Sequence, residues 1–153
     1  TFVNEGAGFY AFISDPVVLG TGYIDYDNFV GGSADLSTVT DLELDFATVD
    51  QDAPFSIEFV TLDDMGGVLG TATAELAMMA GLNMTVSVAV SDFVISGAFD
   101  LANVGSVVLE FNPEVGGTPS LDFTLTEFRA IPTPSALALL AISGLVARGS
   151  RRR

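Results

Sequence analysis

Polar and apolar residues alternate with a period of two through most of the chain. Leu42, Leu44 and Phe46 enclose Glu43 and Asp45; Phe55, Ile57 and Phe59 enclose Ser56 and Glu58; Met84, Val86, Val88 and Val90 enclose Thr85, Ser87 and Ala89. Successive side chains of a strand point to opposite faces, so each run predicts a strand with one buried and one wet face. Val107, Leu109 and Phe111 repeat the pattern around Glu110, and Leu121, Phe123 and Leu125 repeat it around Asp122, Thr124 and Thr126. Earlier strands are expected near residues 8–13 and 23–30. Residues 74–80 have helix-forming composition but lie between two strands, so that segment stays open between helix and strand.

Turn chemistry separates the runs, at Gly31-Gly32-Ser33, residues 50–54, residues 63–67, Asn112-Pro113 and residues 116–119. Many short strands with one polar face each predict an all-β chain folded as an antiparallel β-sandwich, with a jelly roll as the expected version. Phe46, Phe59, Val88, Leu109, Phe111 and Phe123 are expected to face inward between the sheets. About 130 residues suffice for one domain with its own core, without the disulfides that a chain lacking cysteine cannot form.

The end of the chain departs from this pattern. Pro132, Thr133, Pro134 and Ser135 precede an apolar run from Ala136 to Ala147, which Arg148, Arg151, Arg152 and Arg153 close. The run has no polar face, so a hydrophobic helix there belongs in lipid or in a buried interior. Twelve residues of helix rise about 18 Å against a hydrocarbon core of about 30 Å, which suits a transient passage better than a permanent span. The arginines favour the cytoplasmic side, which places residues 1–130 on the outer face. The chain is therefore expected to divide into an ectodomain, 1–130, and a tail, 131–153.

This order of short motif, apolar run and basic end resembles the PEP-CTERM sorting signal of Gram-negative bacteria and planctomycetes, with Thr133 standing where that family has glutamate. The resemblance implies export, transient tethering in the inner membrane, processing by an exosortase-type enzyme and delivery to the cell surface or extracellular matrix. An exported chain needs a signal peptide, so the N-terminus is expected to be truncated or processed. The segment Phe99 to Ser106, with the strands that follow it, and the segment Gly31 to Leu36 resemble parts of the β-sandwich ectodomains found ahead of such tails.

Charge narrows the function further. Residues 1–130 hold all twenty acidic side chains and one cation, Arg129, for a formal charge of −19; the tail arginines bring the whole chain to −15. A body of that sign repels phosphate backbones, which argues against nucleic-acid binding. The absence of histidine, cysteine and lysine removes a Ser-His-Asp triad, a cysteine nucleophile, a Schiff base and the common zinc sites. Carboxylate chemistry of the glycosidase kind needs two carboxyl groups about 5–9.5 Å apart across a cleft, and nothing in the sequence selects a pair. The domain is expected to be non-enzymatic.

No cofactor is expected to be required; a structural calcium is the sharpest metal hypothesis, set against the commoner reading of these carboxylates as solvated loop residues. Asp25 and Asp27, at alternate positions, offer hard oxygen donors to one side of the chain, with Asp50 and Asp52 or Asp63 and Asp64 as rival clusters. The leading functional expectation is a surface or matrix protein of unassigned specific activity. The alternative is a module binding exopolysaccharide or another glycan, with or without calcium. Tryptophan is absent, so Tyr10, Tyr23 and Tyr26 are the amphipathic aromatics on offer for stacking against sugar.

Overall fold

The structure, a computed structural model, describes residues 2–6, 9–27, 29 and 32–133. Ten strands lie among the described residues: β1 (Phe2–Gly6), β2 (Phe9–Ile13), β3 (Gly22–Tyr26), β4 (Val39–Val49), β5 (Ala53–Leu62), β6 (Val68–Met78), β7 (Gly81–Ala89), β8 (Val94–Gly97), β9 (Ser106–Phe111) and β10 (Asp122–Pro132). They form two five-stranded sheets, in the orders β1-β2-β10-β4-β7 and β3-β9-β5-β6-β8, with every pairing antiparallel. Most connections pass from one sheet to the other, while β5 and β6 form a hairpin closed by the glycine-containing turn at residues 63–67. The all-β, two-sheet antiparallel expectation holds. The expected helix in 136–147, together with Pro134, Ser135 and the four tail arginines, lies outside the described residues.

Alternation produces the core directly. All six residues expected to face inward are buried, with Phe59, Leu109 and Phe111 at 0 % exposure. Phe111 of β9 and Phe123 of β10 meet across the sheets at a ring-centroid distance of 4.9 Å, and Tyr10, Phe46 and Phe55 pack around Phe111 at 5.8, 6.4 and 5.8 Å. Phe12 stacks on Phe123 at 5.3 Å. A second group closes the other end, where Phe59 stacks on Phe93 at 4.9 Å and lies 6.5 Å from Phe99. Offset and edge-on aromatic pairs of this kind add attraction beyond the area they bury. Gly22 makes room for the first group, since a Cβ there would meet the Tyr10 hydroxyl at 2.6 Å and the Phe12 ring at 2.9 Å.

Several expected boundaries move. Residues 74–78 belong to β6 and are strand, because Ala72, Ala74 and Met78 are needed on the inner face and tertiary burial outweighs helix propensity. The strand expected over 23–30 ends at Tyr26. β10 runs on to Pro132, past the expected boundary at 130: Ile131 pairs with Asp41 and Pro132 with Val39. The Thr133 N–H and hydroxyl both donate to the Thr38 carbonyl, at 2.7 and 3.0 Å.

The two segments that resemble ectodomain elements meet. Ala34 and Val104 exchange backbone hydrogen bonds at 2.8 and 3.0 Å, and the Leu36 N–H donates to the Leu101 carbonyl. The opposite end is organised by Asn112, which is fully buried with φ +56°. Its amide nitrogen donates to the carbonyls of Gly20 and Thr118, and its Oδ1 accepts from the Thr118 N–H at 2.6 Å. Asparagine tolerates that backbone conformation better than most residues and here satisfies buried polar groups of two loops.

Phe111→Ala is expected to cost about 3–5 kcal/mol of stability in a urea titration, because it empties the centre of the aromatic group. Glu110→Ala, one residue away on the outer face, is expected to cost far less. Equal effects would contradict the assignment of faces.

Candidate functional site

The most irregular part of either sheet lies on the outer face of the β10-β4-β7 trio. Leu125 pairs with Phe46 while Thr124 pairs with Thr48, so Ala47 is an extra residue in β4. Glu127 then pairs with Asp45, so Thr126 is an extra residue in β10. On the far side of β4, Asn83 of β7 stands opposite Ala47 with φ +52°, between the pairs Phe46–Met84 and Thr48–Leu82. Three neighbouring strands thus depart from regular geometry at one level. Bulges bend a strand and re-aim its side chains, and they concentrate at functional sites.

The bulge at Thr126 reverses the facing of everything after it. Strict alternation from Phe123 and Leu125 would send Glu127 and Arg129 into the core and Phe128 to solvent. After the extra residue, Phe128 packs against the core while Glu127 and Arg129 join Glu43 and Asp45 on the outer face. Arg129 donates from one terminal nitrogen to Glu43 at 2.7 Å and from the other to Glu127 at 2.8 Å, and the second nitrogen also forms an ion pair with Asp45 at 2.7 Å. These carboxylates, the Glu43 hydrogen bond foremost, raise the guanidinium above its ordinary value, so it stays charged at any working pH.

Asp45 links this ion cluster to a mainly polar depression of about 320 Å³ lined by Asp45, Asn83, Thr85 and Thr126 and by the chain at residues 46–47 and 84. The Thr85 hydroxyl donates to Asp45 Oδ1 at 2.5 Å, Arg129 holds Oδ2, and the Thr126 hydroxyl donates to the Asp45 carbonyl at 2.9 Å. The arrangement is a shallow polar depression with an acceptor on Asp45, hydroxyls on Thr85 and Thr126 and an amide on Asn83, beside the Arg129 ion cluster. Sequence reasoning missed it. The available signal was Thr126-Glu127, two consecutive polar residues between Leu125 and Phe128, which breaks the alternation where the bulge occurs.

The sequence-derived candidates are dispersed. Tyr10 is 5 % exposed and sits inside the aromatic core, so it is withdrawn as a stacking residue: β2 faces it inward beside Phe111 and Phe123. Tyr23 and Tyr26 are exposed at 58 % and 41 %; Tyr26 stacks on Phe128 at 5.9 Å, and the Tyr23 hydroxyl donates to Glu110 at 2.9 Å. Asp25, on the outer face of β3, accepts the Ser106 hydroxyl at 2.6 Å, and Asp27 is exposed just beyond the strand. Asp50, Asp52 and Asp63 accept backbone N–H groups of Asp122, Ala80, and Met65 with Gly67 at 2.7–2.8 Å, while Asp64 is exposed in the same turn as Asp63. Among the described residues no three Asp, Glu, His or Cys side chains gather in a group suited to a metal ion. Of the four residues expected to form a sorting motif, Pro132 ends β10 and Thr133 bonds to Thr38, and Pro134 and Ser135 are outside the described residues.

No known protein family matches the sequence, and no curated protein matches it. Solved structures share the fold. The solution structure of CtCBM11 has a TM-score of 0.51 at 12 % identity, over 88 % of this chain and 96 % of that one. A family 11 carbohydrate-binding module from Clostridium thermocellum, in complex with a β-1,3-1,4-mixed-linked tetrasaccharide, has a TM-score of 0.49 at 13 % identity, over 84 % and 91 %. At these identities the likeness is one of fold.

The hydrogen bond to Glu110 raises the Tyr23 phenol above its ordinary value near 10. An acid whose pKa is raised by folding contributes stability that is present below the unfolded value and lost as pH climbs through the folded one. Ultraviolet titration is expected to place Tyr23 above a free tyrosine, and Glu110→Gln to bring it back toward the ordinary value. An unmoved titration in the variant would remove the bond as the cause.

Proposed function

We propose that the body is a non-catalytic glycan-binding module, that the depression beside Asp45 receives the sugar, and that residues 131–153 serve as a sorting and anchoring signal that presents the body outside the cell. The observation that carries the glycan reading is the coincidence of three backbone irregularities, at Ala47, Thr126 and Asn83, with a cluster of oriented donors and acceptors. Sugar hydroxyls both donate and accept, and a depression lined by carboxylate, amide and hydroxyl groups, with a guanidinium beside it, can meet both. A neutral glycan is also indifferent to the −19 charge that repels polyanions. The fold shared with the carbohydrate-binding module CtCBM11 supports the same reading.

Binding is favoured over hydrolysis by the placing of the carboxylates. Asp45 and Glu127 converge on one nitrogen of Arg129, on an open face, rather than confronting each other across a gap wide enough for a glycosidic bond. The tail fits this arrangement. The chain leaves the sheet beside Val39, six residues along β4 from Asp45 and hence about 20 Å away at strand spacing. A glycan at the depression would therefore be held clear of the surface that anchors the tail.

On a glycan array followed by calorimetry, Arg129→Gln and Asn83→Gly are each expected to weaken binding about tenfold, the cost of losing a charge-assisted or well-placed hydrogen bond. Tyr23→Ala, on the other sheet, is expected to leave binding unchanged. Absence of any saturable glycan ligand would overturn the proposal, as would loss of binding in Tyr23→Ala alone.

Truncation after Thr133 is expected to release the body from the membrane fraction with its β-type circular dichroism intact, because β10 and its bonds to Thr38 are retained. Truncation after Ala130 removes those pairings and should lower the melting temperature of the released protein. A body that still sediments with membranes after either cut would refute the anchoring role.

A further inference from the structure

β8 pairs with Gly70–Thr73 of β6 and goes no further. The chain reaches it from the 3-10 turn at Val90–Asp92, which follows β7, so nothing continues the line of β8 alongside residues 74–78. Those five residues pair with residues 53–57 of β5 on one side, and among the described residues no strand lies on the other. Backbone N–H and C=O groups alternate between the two sides of an antiparallel strand, so this stretch presents ladder groups to an open side. The opening is a cleft of about 760 Å³ bordered by Ala74 and Leu76 of β6, Val88 and Ala89 at the end of β7, and Val94.

Two exposed carboxylates, Glu75 and Asp92, also border the cleft. Among the described residues the ion pairs are those of Arg129, which lies on the other sheet. We infer that this slot accepts a short extended segment of another polypeptide by strand addition to β6, the segment being apolar or hydroxylated at its centre and basic at its ends. Main-chain bonds to an unpaired edge supply affinity in such additions, and side chains at alternate positions supply selectivity. Leu76 and the exposed Val94 offer apolar contact, while Thr73 and Ser96 offer hydroxyls. Charge decides the partner. The body of a second copy would bring another −19 charge against Glu75 and Asp92, with its one cation, Arg129, already held by three carboxylates. A segment with lysine or arginine at its ends is drawn in instead.

The test uses fluorescence anisotropy of the full chain with a labelled seven-residue peptide of alternating valine and threonine and a lysine at each end. Saturable binding is expected, weakened at least tenfold when a central residue is replaced by proline, which removes a ladder donor. Non-specific attraction of a cation to an acidic protein would survive that replacement. The same weakening is expected when the end lysines become glutamates, and Glu75→Lys with Asp92→Lys should reverse that preference. Circular dichroism would confirm that the double variant, altered only at exposed positions, is folded. No saturable binding, indifference to the central proline, or an unreversed preference in the folded double variant would overturn the assignment. So would a dimer in sedimentation that the double variant abolishes, which would give the slot to a second copy.

Discussion

The contact between Phe111 and Phe123 is the point through which the two sheets hold each other. One ring comes from β9 and the other from β10, and Tyr10 and Phe46 touch both. Two antiparallel sheets without disulfides have no covalent means of staying face to face, so the inner faces must supply enough apolar area to do it. Phenylalanine does so at low cost in rotamer freedom. With the sheets fixed in this way, every strand must keep its apolar set inward, and any local shift in phase must be compensated nearby.

That requirement explains the bulges. Within β4 (Val39–Val49), Leu42 and Val49 are both buried although they lie an odd number of positions apart. An unbroken alternation cannot bury both, and the extra residue at Ala47 resolves the conflict. β10 has the same problem between Leu125 and Phe128, resolved at Thr126. The two corrections fall side by side because β4 and β10 are neighbours. Their shared consequence on the outer face is the depression and the re-aimed Glu127 and Arg129, so a packing demand inside the sandwich creates the polar feature outside it.

This is also where the sequence stops being readable. Alternation identifies β4, β5, β7, β9 and the start of β10, and it names a core that is buried as expected, because burial on one face leaves a local mark on every second residue. It is silent on Tyr10, whose hydroxyl suggests a surface role while its place on β2 between Phe111 and Phe123 is set by distant strands. It is ambiguous at β6, where alanine and methionine satisfy an inner face without declaring it. Pairing is least visible of all. That Asp45 would lie beside Thr85 and Arg129, residues 40 and 84 positions away, depends on which strands are neighbours, and no local pattern encodes that. By contrast the segments around Ala34 and Val104 stand out in the sequence for their composition, and they prove to be hydrogen-bonded to each other.

The acidity of the domain acquires a different meaning once the carboxylates are placed. Asp50, Asp52 and Asp63 satisfy backbone N–H groups in turns, Asp35 does the same for Ser37, and Asp25 holds the buried Ser106. Each of these is a short acceptor terminating or bracing a loop, a task in which asparagine or serine would serve with less charge. The accumulated repulsion is relieved at one place by a cation, Arg129, which three carboxylates surround. Removing that arginine would leave Glu43, Asp45 and Glu127 facing each other on adjacent strands, an arrangement of like charges that opposes strand pairing. Arg129 therefore holds the bulged region of β4 and β10 together and, in the same geometry, presents the donors and acceptors of the outer face. A ligand bound there would be recognised by groups whose positions the fold has already stabilised, so little ordering remains to be supplied on binding.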